Sequence, residues 1–496
     1  MRFDRTRIWL WLATAAVAGA IVMALELVSF RLYAPYFGYS IYVWGSMISV
    51  VMAALALGYG LGGWIADRTQ TDVPVYASAL ASALYQLLML GAVYSFLPSL
   101  AQLGDFIGTI LATSIIFAVP MTLLATMPPV VIRLLARAGH IGAAAGRVYG
   151  VSTAGSMGGI LLTSFLLLPR FGTRLTLQVL CAVSLLLGVC GLAAAKRRAL
   201  AALFLLPLVL LAPEALWPRD TVWVRESAYN LLRVAQQGHR RILYLNNNAA
   251  QTVQAEPAAG TGFYYDQFAL GPLLVPARRA LALGMGAAAS IRAARSTAPE
   301  IEFDAVEIDP KVVEAAVEWF GLRLQDPRLH VHVADARRWL AKDVHRYDLI
   351  QEDVYQGGPY VPFYLVTEEF FRLVRAHMTD DALLMTNLFD IGADRQLLFA
   401  AAATLRRVFP SVMVRSDIHG NHILFAFVRP RSVESVRSTL EQARTGLAGS
   451  TAALIADLAP PVDTRVFTDD LAPVEEMTRS MLRGSGSADP TFRTRR

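Results

Sequence analysis

The chain has 496 residues, 55% of them hydrophobic and 17% charged, with a net charge of +6 and a mean hydropathy of +0.44. That is too apolar for an ordinary soluble protein and too charged for a bundle lying wholly in lipid, and the length alone allows two or three domains. The positive balance sits in short loops and in the C-terminal tail, so it speaks for membrane topology and against a nucleic-acid partner.

Six apolar runs come first, at 8–30, 42–65, 74–97, 107–127, 148–168 and 174–195. Each is near the roughly 20 residues that cross about 30 Å of hydrocarbon. A seventh run, 199–213, is shorter and holds Pro207 and Pro213. The first run is too long for a cleaved signal and lacks a small-residue cleavage site. Arg2, Arg5, Arg7, Arg68, Arg133, Arg137, Arg147, Lys196, Arg197 and Arg198 fall on one side of these runs, and Arg31, Arg170 and Arg174 on the other. The positive-inside rule makes the first side cytoplasmic. Residues 1–216 are therefore expected to form an α-helical transmembrane bundle of six to seven spans in the cell (inner) membrane, with the lipid bilayer as partner.

Glu26 lies inside the first run, where a charge is costly. It reads either as a transport or proton site or as a structural partner of Arg31. Gly58 and Gly62, and again Gly155 and Gly159, form small-xxx-small pairs that let helices approach closely. Cys181 and Cys190 are nine positions apart in one apolar run and cannot join in a disulfide on one helix.

From about 220 the periodicity changes. A small β-rich part is expected over 217–275, from ESAYNLLRVAQ and RRILYLNNNAAQTVQ, closing on a helix-like YYDQFALGPLLV. Over 276–480, strands at 280–284, 302–308, 329–334, 347–352, 382–387, 411–416 and 422–428 alternate with helices, the clearest at 365–378 and 392–408. Such alternation predicts a parallel, doubly wound sheet. The turn residues 419–421 join the last two strands as an antiparallel hairpin, which gives an α/β class I methyltransferase-like (Rossmann-like) domain. The Gly/Ser-rich basic tail, 481–496, is expected to be disordered.

Ligands bind such sheets at the carboxyl ends of the strands. Gly284 and Gly286 form a tight turn after the first strand, and Glu307 ends the second about 20 residues after the turn, where such folds hold a ribose. Asp335 and Ala336 follow the third strand, and Glu352 and Asp353 close the fourth ahead of the loop VYQGGPYVPFY. One such acid is ordinarily a solvated loop carboxylate; three at successive strand ends point to a bound nucleoside. No metal is required, since the eight histidines show no ligand cluster; His330 and His332 are expected to alternate with core residues on a strand.

These motifs resemble those of the spermidine synthases (polyamine aminopropyltransferases), and the whole chain resembles their membrane-fused branch. The carriers are ESAYN (226–230), YLNNNAAQ (244–251), YYD (264–266), VEIDPKVVEAA (306–316), DPRLHVHVADARRWL (326–340), YDLIQED (347–353) and VTEEFFRLV (366–374), with ELVSFRLYAPYFG (26–38) and LALGYGLGGWIADR (55–68) for the fused spans. The resemblance implies that Glu307 holds the ribose, Asp335 and Ala336 the adenine, and that Asp353 orients or deprotonates an amine nucleophile. Gln251, Tyr264 and Asp266 would line the cleft shared by donor and acceptor, with Tyr355 and Gln356 on the acceptor side. It implies no permanently bound cofactor, decarboxylated S-adenosylmethionine as co-substrate, a small-molecule amine such as putrescine as acceptor, and a homo-oligomer. Cytosolic supply of the nucleoside puts this half on the cytoplasmic face if 199–213 does not cross.

Two acidic positions of the family's pattern are changed. The glycine turn reads GMGAAA, with Ala287 where the family has an aspartate, and Gln356 replaces a second aspartate. The histidine of the family's YHE is Tyr265. The nucleoside half is kept and the half for a cationic chain is altered. The alternatives are a transferase using S-adenosylmethionine itself on another acceptor, or a non-catalytic nucleoside- or polyamine-sensing membrane protein.

Overall fold

The structure, a computed structural model, describes residues 5–137, 140–193, 217–246, 250–255, 261–356, 358–417, 419–443 and 446–484. The seventh apolar run and residues 485–496 of the basic tail lie outside them; residues 481–484 are not a disordered start of the tail but the last turn of a helix, Val474–Gly484. The chain divides into two compact units, Met1–Trp217 and Pro218–Arg496.

The first unit is helical. Among the described residues, five helical stretches are long and apolar enough to cross a membrane: α1 (Arg5–Phe37), α2 (Ile41–Arg68), α3 (Val73–Ala101), α4 (Asp105–Ala136) and α5 (Ile141–Ala193). The apolar runs at 148–168 and 174–195 are two arms of α5, which breaks at Gly172 with φ 72°. In α4 a π-turn over Ser114–Ala118 precedes Pro120, which has no N–H for the carbonyl one turn back. Tyr85 donates its hydroxyl to the freed region at the Ile115 carbonyl, 2.5 Å away.

The glycine pairs do what their spacing predicts. A Cβ on Gly155 or Gly159 would strike the backbone of Ala16 or Ala20 on α1, and one on Gly58 or Gly62 would strike Thr122 or Thr126 on α4. Helix backbones touch at these points, so dispersion contacts accumulate where a larger residue would hold the helices apart.

The second unit begins with an antiparallel sheet of β1 (Thr221–Glu226), β2 (Leu231–Gln237), β3 (Arg240–Leu245) and β4 (Ala250–Ala255), in that order. The stretch 240–254 is thus two strands rather than one, because NNN offers a polar break between them. The segment Tyr264–Leu270 is a 3-10 turn rather than a regular helix.

The main sheet contains β5 (Arg279–Leu283), β6 (Glu302–Glu307), β7 (Leu329–Val333), β8 (Tyr347–Glu352), β9 (Met378–Phe389), β10 (Ser411–Ser416), β11 (Asn421–Phe427) and β12 (Ala456–Asp457). Its order is β12-β10-β11-β9-β8-β5-β6-β7. The strands β7, β6, β5, β8 and β9 are parallel, and β11 runs antiparallel between β9 and β10. This is the methyltransferase-like arrangement expected from the hairpin at 419–421.

The strands are apolar on both faces because helices cover both. Ala282, Ala305, Leu349 and Met385 enter one core; Leu283, Val306, Ile350 and Leu384 enter the other. The following helices start on sequence cues. Asp309 caps Pro310–Phe320, which stops at Gly321 in the left-handed region, and Thr367 caps Glu368–Ala376. The strand order reverses between β5 and β8, which opens a crevice at their carboxyl ends.

Candidate active site at the strand ends

At that crevice the chain turns sharply after β5. Gly284 has φ 79°, and a Cβ there would collide with the Asp353 carbonyl at the end of β8. Gly286, at φ 53°, points its N–H to Glu307 Oε2 at 3.0 Å. Ala287 is fully buried and gives its N–H to Thr252 Oγ1 at 3.3 Å. Ala288 takes the left-handed φ of 63°, a conformation that costs an alanine about 1–2 kcal/mol. Arg292, on the helix that follows, donates to the Ala287 carbonyl at 2.6 Å. Burial lowers its guanidinium pKa to about 10.

Glu307 ends β6 and is buried. Its second oxygen accepts the Asp309 N–H at 3.0 Å. Burial pushes the carboxyl up to about 7, opposed by those backbone bonds and assisted by the Asp309 charge. Asp309 in turn accepts Ser227 Oγ at 2.5 Å and Asn230 Nδ2 at 3.0 Å, which fastens the small sheet to the loop after β6.

After β7, Asp335 Oδ1 caps its helix by accepting the Arg338 N–H at 2.8 Å, and Oδ2 accepts the Tyr364 hydroxyl at 3.1 Å. Burial raises the Tyr364 phenol to about 12, with the Asp335 charge adding to the effect. Ala336 is buried beside it.

Asp353 follows β8. Its Oδ2 accepts the Tyr264 hydroxyl at 2.8 Å and its Oδ1 accepts Asn387 Nδ2 at 3.0 Å. Burial raises its pKa to about 6, against the pull of the two bonds. Burial also drives the Tyr264 and Tyr355 phenols well above their ordinary range, and the Asp353 charge pushes the same way. Tyr355 donates to the Asn387 carbonyl at 3.3 Å. Glu352, beside Asp353, is 1% exposed, and burial lifts its carboxyl to about 8 despite the Thr386 hydroxyl. That hydroxyl lies near enough to act on the charge but is not placed to donate a hydrogen bond.

The chain therefore brings Gly284, Gly286, Glu307, Tyr264, Asp353 and Tyr355 to one set of strand ends, with Asp335 and Ala336 after the neighbouring β7. Asp266 is different from expectation. Its oxygens accept Thr261 Oγ1 and the Gly262 N–H, both at 2.8 Å, so it braces the turn before Tyr264 instead of facing the acceptor. Tyr265 is buried, and its hydroxyl takes the Val253 N–H at 2.7 Å. Gln356 is exposed, and its N–H bonds the Tyr360 carbonyl at 2.8 Å. Gln251 belongs to β4, but its side chain lies outside the described residues. His330 and His332 alternate on the edge strand β7 with Leu329 and Val331, which pack into a core, and they pair with Glu302 and Asp304. Thr252, Asp309, Arg292, Tyr364 and Asn387 were not singled out in the sequence. Of these, only Asp309 had a local signal, as the acid before Pro310 that opens a helix.

A carboxylate at the switch point, held between a phenol and an amide, can orient and deprotonate an amine. A buried glutamate held by the Gly286 and Asp309 N–H groups can grip a diol. The chain is similar to several known proteins. Residues 297–416 match the spermine/spermidine synthase domain. The chain is 34% identical over 176 residues to the probable polyamine aminopropyl transferase of Bifidobacterium longum (strain NCC 2705), covering 35% of this chain and 39% of that one. It is 32% identical over 159 residues to the eEF1A lysine and N-terminal methyltransferase of Homo sapiens, covering 29% and 22%. It spans well under two thirds of either relative. The crystal structure of a probable spermidine synthase from Corynebacterium glutamicum ATCC 13032 overlays on 52% of this chain and 98% of that one, at 18% identity and a TM-score of 0.41.

Proposed function

We propose that this chain, which carries a spermine/spermidine synthase domain in its second unit, is a membrane-anchored transferase. It moves an aminopropyl group from decarboxylated S-adenosylmethionine to an amine such as putrescine. The observation that supports this most is Asp353 at the switch point, held by Tyr264 and Asn387 with its pKa raised to about 6 by burial. Such a carboxylate is ionised at neutral pH and still basic enough to take a proton from an ammonium poised to react.

In this reading Glu307 holds the ribose hydroxyls, Asp335 and Ala336 meet the adenine, and Gly284 and Gly286 let the backbone approach the nucleoside. Tyr264 and Tyr355 wall the reacting centre with Gln251, and Gln356 lies at the acceptor's entrance. The acceptor nitrogen loses a proton to Asp353 and attacks the carbon beside the sulfonium. The carbon–sulfur bond breaks, its electron pair stays on sulfur, and methylthioadenosine leaves as a neutral thioether. The sulfonium brings its own leaving group, so the protein need only orient the reactants and keep the amine unprotonated. The five long apolar helices serve as a multi-pass anchor in the cell membrane, with the transferase unit on the cytoplasmic side where the nucleoside is made. Assembly as a homo-oligomer belongs to the same reading.

The test uses the full chain in detergent with decarboxylated S-adenosylmethionine and putrescine, and chromatography of methylthioadenosine and the product amine. Formation of both, abolished by Asp353→Asn, supports the reading; nucleoside binding without turnover of any amine sinks it. One observation favours a second reading, in which S-adenosylmethionine is the donor. Ala287 offers no carboxylate to a cationic donor tail, and Arg292 beside it has no carboxylate partner among the described residues. The resemblance to a protein named as a methyltransferase points the same way. Competitive titration of the two donors separates the readings.

A further inference from the structure

The loss of acids at Ala287 and Gln356 leaves a multiply charged acceptor short of partners, yet the end of β8 carries an acid that the family's pattern does not call for. Glu352 is the last residue of that strand, 1% exposed, and neither of its carboxylate oxygens has a hydrogen-bond donor. Across the ladder, Asn387 gives its Nδ2 to Asp353, and its buried Oδ1 is left without a donor. Glu352 and Asn387 thus leave three acceptor atoms without a donor at the ends of β8 and β9, while the amide of Gln351, one residue earlier, is also left unpaired. A buried carboxyl without donors is costly and rarely tolerated without cause. An ammonium, with three donors and the opposite charge, answers that deficit.

The geometry suits a diamine. Successive strand residues point to opposite faces of the sheet, so the Glu352 and Asp353 carboxyls stand on two sides of one strand end. The Asp353 charge acts on Glu352, and both charges act on Tyr355. A short alkyl chain with an amine at each end can reach both. Resting on the function proposed above, we infer that Glu352 is the second anionic anchor of the acceptor site, holding the distal ammonium of a diamine while Asp353 faces the reacting nitrogen. Acceptor specificity then comes from the strand end itself rather than from the position now occupied by Gln356.

The experiment is isothermal titration of the full chain in detergent, saturated with methylthioadenosine, using putrescine and the monoamine butylamine as probes. The wild type should bind putrescine about tenfold or more tighter than butylamine; equal affinities overturn the inference without recourse to any variant. Glu352→Gln should weaken putrescine about tenfold or more while methylthioadenosine binds as before, and Glu352→Asp, which keeps the charge, should recover part of the loss. Unchanged putrescine affinity in Glu352→Gln, or an equal loss in Glu352→Asp, overturns it. A wild type that binds methylthioadenosine but neither amine removes the acceptor reading of the preceding section, and this inference with it.

Discussion

The Tyr264 hydroxyl donates to Asp353 Oδ2 across 2.8 Å, joining the 3-10 turn before the main sheet to the end of β8. The phenol is buried and its pKa lies well above the ordinary range, so it remains a donor at every pH at which the protein folds. It stabilises the ionised form of Asp353.

Asp353→Asn should therefore lower kcat by about 10²–10⁴-fold and leave methylthioadenosine affinity within about twofold, read by steady-state kinetics and titration. Tyr264→Phe should act more mildly, costing about tenfold in kcat/KM at neutral pH. Without the phenol the Asp353 pKa rises further, so the acid limb of the kcat/KM profile, expected near 6, moves to higher pH. An unmoved limb would dissociate Tyr264 from the base.

Three carboxyls at the site have raised values: Glu307 about 7, Glu352 about 8 and Asp353 about 6, each with burial as the leading cause. In the unfolded chain they titrate near 4.5, 4.5 and 3.8. The folded state thus holds protons that the unfolded state has already lost, and the stability they contribute disappears as pH rises through the folded values. The depressed acids, Asp304, Asp326, Asp343 and Asp469, act only at lower pH, outside this window. Hydrogen exchange at 347–356, without nucleoside, should quicken between about pH 5 and pH 8.5 beyond its intrinsic chemical rise. Glu352→Gln should flatten that response.

Gly284→Ala combines a left-handed φ with a collision against the Asp353 carbonyl. A destabilisation of more than about 1 kcal/mol and loss of methylthioadenosine binding are expected, by thermal melting and titration. An alanine that folds and binds normally would mean that the turn and the strand end do not meet as described.

In the helical unit, Gly155→Leu should lower the melting temperature and the yield of folded protein in detergent, because it forces apart the backbones of α1 and α5 at Ala16. Gly150→Leu, one to two turns away on the same helix with open space around it, is the matched control and should be tolerated. Equal effects would make helix propensity, not packing, the cause.

Much of this fold can be read from local pattern. The five parallel strands announce themselves as short apolar runs between helices, and Asp309–Pro310 and Thr367–Glu368 mark helix starts. The positions of Glu307, Asp335 and Asp353 follow from where strands end. Spacing does not reveal partners that arrive from distant sequence. Asn387 reaches Asp353 only because β9 lies beside β8, and Tyr364 reaches Asp335 from a 3-10 turn, Phe363–Leu365, well separated from it in sequence. Asp266 misleads for the opposite reason: its nearest donors, Thr261 and Gly262, are local and capture it first. The break of α5 at Gly172 falls where the apolar runs 148–168 and 174–195 separate, although hydropathy does not register the sign of φ there.

The Asp309 carboxylate clasps Ser227 and Asn230 of the four-stranded sheet two residues after Glu307 grips the glycine turn. Neither module can drift in evolution without the other. A chimera that borrows the small sheet from a relative must bring a matching residue 309, or the graft will be felt at Glu307 and the glycine turn.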